Sequence, residues 1–405
     1  MSMIKPFAAL KPQQEYAADV IAPPYDVLNT AEARERAKGR PRSFLHISKP
    51  EIDLPHDTDP YDASVYKKGL ENLKKLIDEN VLIRDDKPNY YLYKLCMGNQ
   101  EQIGLVGVAS VADYDSNKIR KHEFTRPVKE DDRVNQIDAL NAQTGPVFLT
   151  YRHNAVIDQI SDKISKNSPL YDLTADDGVQ HSIWMIDDES DIKQITETFD
   201  AMDCLYIADG HHRSAAASRI AKMRDNENAN YFLSVLFPDN QMTILDYNRV
   251  IKDLNGLSES DILTKIENSF DVEQVEQQVK PDAAGIFGMF LDDKWYRLQI
   301  KANLIPSDDP VARLDVSLLQ DNLIEPLFNI SDPRIDNRID FVGGIRGLGE
   351  LEKRVQSGDM KIAFSLFPTS LDDLMSVADA NKVMPPKSTW FEPKLADGLV
   401  SHVLD

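Results

Sequence analysis

Apolar and polar residues recur along the chain with two different periods, which predict both helices and strands. From Ala63 to Asn80 the apolar positions have helical spacing and predict an amphipathic helix. The aromatic-rich run 89–97 and the run 101–114 predict two strands joined by a Gly-Asn-Gln turn. Because helices and strands follow one another in this way, the pattern predicts an α/β protein.

The alternation continues through the middle of the chain. The elements that we expect there are strands at 145–151, 181–186 and 229–238, with helices over 155–166 and within the segment EDDRVNQIDALNAQTG at 130–145. Acidic residues begin that last segment and Gly145 ends it, as helix boundaries prefer. A short apolar run then ends at Asp209-Gly210 and is followed by an alanine-rich helix pattern.

The pattern starts afresh near residue 255. A helix is expected to begin there at a Ser/Asp cap, and the run 284–300 predicts a hairpin with Asp292-Asp293 at its turn. A chain of 405 residues is longer than one hydrophobic core usually serves. We therefore expect two domains, at 1–254 and 255–405.

Composition narrows the class of protein. Hydrophobic residues make up 42% of the chain and charged residues 28%, as in ordinary globular proteins, and the net charge is −21. That charge repels nucleic acid and anionic membranes, and no Lys/Arg run offsets it, so neither partner is expected. The chain has neither an apolar run of membrane-spanning length nor a recognisable leader, which leads us to expect a cytoplasmic protein. Two distant cysteines, Cys96 and Cys204, disfavour a zinc ribbon or a thiol redox pair.

The segment YIADGHHRSAA carries the clearest candidate chemistry. A glycine between a strand and a helix lets the backbone approach a ligand, and the first N–H groups of the helix attract anions. Arg213 can hold two phosphate oxygens, and His211 or His212 can add a donor. Asp209 could hold a magnesium ion that bridges the phosphates. The residues alone leave two alternatives open, a metal site at the His-His pair and simple surface polarity.

Three motifs in one order carry a resemblance. YIADGHHRSAA resembles the phosphate-binding motif of the ParB/sulfiredoxin superfamily, and more closely that of its free-serine kinases. Those kinases carry a His-Glu pair upstream, as this chain does at His122-Glu123. They also carry a Pro-Lys-Thr/Ser-Thr segment after a Pro-Thr-bearing strand, which here correspond to PPKSTWF at 385–391 and FPTS at 367–370.

The whole chain also resembles a large bacterial family known as domain of unknown function ten-fifteen. APPYDV, DGHHR and MPPKSTWFEPK are typical segments of that family, and all three are present here. The chain departs from the compact kinases in its long N-terminal region and in the roughly 80 residues between Glu123 and the DGHHR turn.

The resemblance implies an α/β fold with a ParB/sulfiredoxin-like nucleotide-binding core and a second α/β domain that contributes to the substrate cleft. The implied nucleotide contacts are Gly210, His211, His212, Arg213 and Ser214; the catalytic residues are Glu123, His122 and Asp209, with Mg²⁺ at Asp209; and the acceptor contacts are Lys387, Ser388 and Thr389. Glu123 would take the proton of the acceptor hydroxyl.

The implied activity is phosphoryl transfer from ATP or ADP to free L-serine, which gives O-phospho-L-serine. Sulfiredoxin chemistry is excluded because His211 stands where the reactive cysteine belongs. A ParB-type DNA clamp is disfavoured by the acidic composition. A non-catalytic nucleotide-sensing module is the alternative, and a base at Glu123 distinguishes the two. The sequence leaves the oligomeric state open.

Two further groups have no assigned chemistry at this point. Arg126, Lys129 and Arg133 form a small basic cluster that would bind an anionic substrate group or pair with neighbouring aspartates. Tyr25 and Asp26 of the APPYD stretch would line the site or serve packing, and packing is the simpler interpretation.

Overall fold

The computed structural model of this chain describes residues 2–405. It divides into two compact units, of which the first runs up to Met242 and also takes in Pro393–Asp405, and the second is Thr243–Glu392. Both units combine helices and sheets. The α/β class and the second α/β unit are therefore confirmed, and the ParB/sulfiredoxin-like character of the first unit stays a prediction.

The strands, in chain order, are β1 (Ile4–Lys5), β2 (Ala9–Pro12), β3 (Leu82–Arg84), β4 (Tyr90–Met97), β5 (Gln100–Ser110), β6 (Ile119–Arg120), β7 (Ala142–Gln143), β8 (Val147–Tyr151), β9 (Tyr171–Thr174), β10 (Gln180–Ile186), β11 (Leu205–Asp209), β12 (Tyr231–Pro238), β13 (Thr243–Leu245), β14 (Tyr247–Ile251), β15 (Phe270–Val275), β16 (Ile286–Leu291), β17 (Lys294–Ile300), β18 (Ile339–Gly343), β19 (Ile362–Leu366), β20 (Trp390–Glu392) and β21 (Ser401–Val403).

The α-helices are α1 (Ala17–Val20), α2 (Thr30–Ala37), α3 (Leu45–Ser48), α4 (Ala63–Asp78), α5 (Val111–Asp115), α6 (Pro127–Leu140), α7 (Ala155–Ile164), α8 (Glu189–Asp200), α9 (His211–Met223), α10 (Glu259–Ile266), α11 (Asp315–Leu319), α12 (Glu325–Phe328), α13 (Leu348–Gln356) and α14 (Leu371–Asp379).

The first unit is built on a mixed nine-stranded sheet. Its strand order is β6-β11-β8-β12-β5-β4-β10-β9, with β1 paired to β5. A smaller sheet of order β3-β2-β21-β7 brings the chain's last strand back into this unit. The second unit contains the six-stranded antiparallel sheet β15-β17-β16-β19-β14-β18 and the separate pair β13-β20.

One parallel pairing places the candidate site. β6 runs parallel to β11, with Ile119 opposite Leu205 and Arg120 opposite Tyr206. Parallel strands end at the same edge of a sheet. The loop that follows β6 therefore emerges beside Asp209, the last residue of β11.

Helix α9, which follows that turn, is buried on two sides. Ala215 and Ala217 join the apolar core that covers the large sheet. Ala216 and Ile220 join a second cluster, in which Val134 and Ile137 of α6 take part. Small side chains permit such close packing on two neighbours at once.

Most of the elements expected from the pattern are confirmed. The helix expected over 63–80 is α4, and the strand expected over 89–97 is β4. The hairpin expected at 284–300 is β16 and β17, with Asp292 and Asp293 both at positive φ in its turn. The helix expected to begin at a Ser/Asp cap is α10, where Ser258 and Asp261 form a reciprocal capping box.

Two boundaries differ from the pattern. The strand expected over 101–114 ends at Ser110, because the Ser110 hydroxyl accepts from the Asp113 N–H and begins α5 there. The helix expected from residue 130 begins at Pro127, since the fixed φ of proline suits the first helical position.

The division between the units also differs from the boundary expected at residue 255. β14 pairs with β18 and β19, so the second sheet already includes Tyr247–Ile251. At the other end of the chain, β21 pairs with β2 and β7 of the first unit. These pairings join residues that are distant in sequence, which the periodicity of a single segment does not record.

A separate property concerns membranes. Within the described chain, 2–405, every helix is too short or too polar to cross a lipid bilayer.

We predict that Ala216→Leu destabilises the fold. Ala216 of α9 is fully buried against α6. Overpacking a tight core typically lowers the free energy of unfolding by about 1–3 kcal/mol. Ala155→Leu at the exposed start of α7 is the matched control and should change it by about 0.5 kcal/mol or less. Urea denaturation measures both, and equal effects at the two positions would contradict the packing argument.

Candidate functional site

The strand–helix turn has the conformation that the sequence predicts. β11 ends at Asp209, Gly210 has φ 101° and ψ 25°, and α9 begins at His211. This left-handed conformation favours glycine. No side chain caps α9, so the first N–H groups of the helix are left for a ligand or solvent. We refer to residues 209–214 as the phosphate turn.

Arg213 folds back over the glycine of the phosphate turn. A Cβ atom at Gly210 would lie 3.1 Å from Nε of Arg213. One amino group of the Arg213 guanidinium donates to the carbonyl of Pro146, and the other lies 3.7 Å from a carboxylate oxygen of Asp209. The side chain is only 11% exposed, so its position is set by the protein and not by solvent.

Asp209 is already paired with cations. Lys394 Nζ lies 3.3 Å from its carboxylate, and Arg213 lies on it as well. Burial raises the pKa of Asp209, but the charges of Lys394 and Arg213 outweigh burial and hold that pKa well below its usual range.

The magnesium ion expected at Asp209 stays a prediction. Lys394 and Arg213 already lie against the single carboxylate. Across residues 2–405, no group of three or more His, Cys, Asp or Glu side chains converges, so a magnesium ion here would take most of its ligands from nucleotide phosphates and water. Lys394 and Arg213 supply positive charge at the position where the ion was expected.

The loop after β6 joins the phosphate turn through two histidines. The backbone N–H of His122 donates to Nε2 of His211 at 3.4 Å, and the two imidazole rings meet edge to face with centroids 4.5 Å apart. Because Nε2 of His211 accepts this bond, we assign the proton of the neutral ring to Nδ1. That Nδ1 faces Oε2 of Glu123 at 3.6 Å, and the Glu123 side chain is 54% exposed.

Both histidines are uncharged at neutral pH. Burial lowers the pKa of His122 to about 4. Burial and the neighbouring His122 lower the pKa of His211 well below its usual value. Nδ1 of His122 is buried and has no hydrogen-bond partner among residues 2–405. The sequence predicted a catalytic role for His122, and the structure shows a neutral ring packed against His211.

His212 and Ser214 are committed to contacts within the protein. Nε2 of His212 accepts from the backbone N–H of Arg126 at 3.0 Å, at the start of α6. The Ser214 hydroxyl is fully buried and bonds to the carbonyls of Gly210 and His211. Both residues stabilise the phosphate turn. Their contact with a nucleotide stays a prediction.

Two residues of the basic cluster noted in the sequence bond to different partners. Arg133 donates from two guanidinium nitrogens to Asp132, at 3.1 and 2.7 Å. Lys129 donates to the hydroxyl of Tyr61 at 2.8 Å. Pairing with a neighbouring aspartate is therefore confirmed for Arg133.

For one residue at the site the sequence favoured a packing role, and two others were missed. Tyr25 of the APPYD stretch stacks on Arg133, with the guanidinium 3.8 Å from the ring centroid, and both line a cavity together with Arg213 and Asp397. Lys394 and Asp397 follow the PPKST motif in the last part of the chain. In the sequence they belong to the segment EPKLADG at 392–398. Its charged residues are visible there, but the residues that they contact lie far away along the chain.

The surroundings of Asp397 shift the pKa of its carboxyl. Burial raises the pKa of Asp397 to about 7, although Arg213 and Arg133 act in the opposite direction. Asp26 is a like charge that adds to the increase. The carboxyl is thus partly protonated near neutral pH.

The predicted acceptor motif lies in the second unit. Lys387 is exposed at φ 58°, and its carbonyl accepts from the buried Arg249 at 3.0 Å. The Ser388 hydroxyl donates to the carbonyl of Pro385 at 2.7 Å, and the Thr369 hydroxyl donates to the carbonyl of Ser388 at 2.9 Å. The PPKST and FPTS segments therefore contact each other, while the contribution of Lys387, Ser388 and Thr389 to a substrate cleft stays a prediction.

A protein-family model described as a protein of unknown function, DUF1015, matches residues 4–317. Since the match spans well over half of the chain, the chain belongs to the DUF1015 family. Among curated proteins, none is significantly similar to it.

Solved structures show distant likeness. A mutant free serine kinase in complex with AMP is 13% identical with a TM-score of 0.38, and the match covers 72% of this chain and 91% of that one. A conserved hypothetical protein from Pyrococcus furiosus is 14% identical with a TM-score of 0.35 and coverages of 72% and 93%. SbnI with C-terminal truncation from Staphylococcus aureus is 10% identical with a TM-score of 0.40 and coverages of 73% and 86%.

We predict that Gly210→Ala lowers the stability of the protein by more than the general penalty for a non-glycine residue at positive φ. The left-handed backbone costs a non-glycine residue about 1–2 kcal/mol, and the new Cβ would also press on Arg213. Gly178→Ala is the matched control, because its φ is 82° and a Cβ added there would have no neighbouring atom within 4 Å. Thermal denaturation should show the larger loss for Gly210→Ala, and an equal loss would contradict the contact with Arg213.

We predict that Asp397 makes stability depend on pH in a defined direction. Its pKa is higher in the folded chain than in the unfolded chain, so its contribution to stability is present at low pH and is lost as pH rises toward about 7. The gap between the free energies of unfolding of Asp397→Asn and wild type should therefore shift in favour of the variant by on the order of 2–4 kcal/mol from pH 4.5 to pH 7.5. Urea denaturation at several pH values measures this gap. The exposed Asp203→Asn variant is the control for the substitution itself, and a gap for Asp397→Asn that changes no more than the gap of this control would contradict the prediction.

Proposed function

We propose that this member of the DUF1015 family is a small-molecule kinase that transfers a phosphoryl group from ATP or ADP to the hydroxyl of free L-serine. The observation that carries the proposal is the carboxylate of Glu123, which lies 3.6 Å from His211, the first residue of the helix at the phosphate turn. A group that can accept a proton thus lies beside a site suited to phosphates. The order of the three sequence motifs supports serine as the acceptor.

The phosphate turn would hold the donor nucleotide. The uncapped N-terminus of α9 supplies N–H groups and a partial positive charge. Lys394 and Arg213 add two full charges beside it. When phosphates bind, these cations can exchange part of their contact with Asp209 for contact with phosphate oxygens, because charge-assisted bonds to phosphate are strong.

Glu123 would act as the base. As the serine oxygen attacks the terminal phosphorus, its proton passes to the Glu123 carboxylate, and the bond from phosphorus to the bridging oxygen breaks. The nucleotide leaves with one phosphate fewer, and O-phospho-L-serine forms. A half-exposed carboxylate can reach a bound acceptor, and the neutral His211 beside it does not neutralise its charge.

The proposal keeps Mg²⁺ at Asp209 as an expectation, and no step above depends on that ion. Lys387, Ser388 and Thr389 are included as acceptor contacts on the strength of their motif. The experiment that tests the function offers ATP and ADP, each with and without Mg²⁺, to the purified full chain with L-serine, L-threonine or L-homoserine. Mass spectrometry identifies the phosphorylated product. Nucleotide binding without any phosphorylated product would favour the alternative, a nucleotide-sensing module.

We predict that Glu123→Gln lowers turnover by about 100-fold or more, since a positioned base is usually worth about 10² to 10⁴ in rate. Nucleotide affinity should change little, because a carboxylate does not attract phosphate. Steady-state kinetics and calorimetric titration with nucleotide measure the two effects separately. Glu79→Gln, at the exposed end of α4, is the control and should leave both unchanged.

Two outcomes would count against Glu123 as the base. Retained turnover in Glu123→Gln would mean that another group takes the proton. Lost nucleotide binding in a folded variant would mean that Glu123 supports the phosphate turn instead.

A further inference from the structure

A small cavity adjoins the phosphate turn within the first unit. Its volume is about 30 Å³, and its lining includes Tyr25, Arg133, Gly145, Arg213 and Asp397. The first four of these keep part of their surface exposed, so the cavity lies close to solvent. Arg213 is shared with the phosphate turn, and the others have no part in the proposed phosphoryl transfer.

Asp397 presents an unsatisfied acceptor to its surroundings. The residue is 2% exposed, and its Oδ1 has no hydrogen-bond partner among residues 2–405. The backbone N–H of Tyr25 bonds to the carboxylate, and Ala22 pairs with the Asp397 backbone. A buried acceptor without a partner is unfavourable, so a donor group from outside the chain would complete this site.

Arg133 brings the opposite charge to the same cavity. Its Nε and Nη2 donate to Asp132, while Nη1 takes no part in that pair. The Tyr25 ring stacks on the guanidinium and restricts its position. A fixed guanidinium and a buried carboxylate therefore line one small space.

We propose that this pocket binds the head group of an α-amino acid, with the ammonium group at Oδ1 of Asp397 and the carboxylate at Arg133. The identity of that amino acid as the phosphoryl acceptor rests on the proposed function. An α-amino acid carries these two charges on neighbouring atoms, and the pocket offers the complementary pair. The cavity has room for a group about the size of one water molecule, which suits an ammonium group, while the remaining atoms lie outside it.

The charges favour an ammonium group over a metal ion. Among the described residues that line the cavity, Asp397 is the only carboxylate, and the guanidinium groups of Arg133 and Arg213 would repel a divalent cation. A zwitterion brings no net charge to this surface. The pocket would also place the acceptor beside Arg213, which belongs to the phosphate turn.

Calorimetric titration of the full chain tests the pocket independently of turnover. The probes are L-serine, L-alanine, 3-hydroxypropanoate and ethanolamine, each with and without a saturating non-hydrolysable ATP analogue. L-serine and L-alanine should bind with similar affinity, because both have the complete head group. 3-Hydroxypropanoate, without the ammonium group, and ethanolamine, without the carboxylate, should bind roughly tenfold or more weakly, since each loses a charge-assisted bond.

Variants assign the two charges. Asp397→Asn should weaken L-serine binding by roughly tenfold or more and leave 3-hydroxypropanoate unchanged, while Arg133→Gln should weaken L-serine and leave ethanolamine unchanged. Asp203→Asn, at an exposed position, is the control and should bind every probe as wild type does. Nucleotide affinity and melting temperature confirm that each variant is folded.

Several results would overturn the proposal. Failure of both L-serine and L-alanine to bind under either condition would mean that the cavity holds water only. Binding of the truncated probes to wild type as tightly as L-serine would also overturn it, and this result is decisive even if the variants do not fold. Equal loss of all probes in Asp397→Asn would give Asp397 a purely structural role. The kinase proposal fails separately, if L-serine binds as expected but no nucleotide phosphorylates it.

Discussion

The buried charge of Arg213 is the interaction on which the candidate site depends. A guanidinium that is mostly removed from water needs acceptors close by, and this one has the Pro146 carbonyl and the Asp209 carboxylate. Its position over Gly210 in turn leaves little room for a side chain at that residue. Arg213 thereby connects the left-handed glycine, the strand-end aspartate and the start of α9.

The parallel pairing of β6 with β11 brings further functional side chains to the start of α9. It brings His122 and Glu123, far upstream in sequence, to the edge of the sheet where the phosphate turn begins. Burial keeps both His122 and His211 neutral. The two imidazole rings therefore contribute packing and a hydrogen bond to the site, but no charge. The carboxylate of Glu123 lies half exposed beside them.

The chain's final segment completes the first unit. After the second unit ends at Glu392, Lys394 pairs with Asp209 and Asp397 reaches the cavity beside Arg213. β21 then anchors this segment by pairing with β2 and β7. The site of the first unit thus combines residues from the beginning, the middle and the end of the chain.

Local sequence was sufficient for features that depend on neighbouring residues. The periodicity of α4, the alternation of β4, the Asp292-Asp293 turn and the capping box at Ser258 all follow from interactions within a few residues. The glycine conformation in DGHHR was predictable for the same reason, because a strand must there turn into a helix.

Tertiary structure alone decided which distant residues share the site. Tyr25 stacks on Arg133, Lys394 pairs with Asp209, and Asp397 is buried beside the two arginines. Each is a contact between segments separated by more than a hundred residues, and its energy depends on burial and on the charges that the fold collects around it. The residue types in APPYD and EPKLADG show that polar groups are present, but only the pairing of strands brings those groups together.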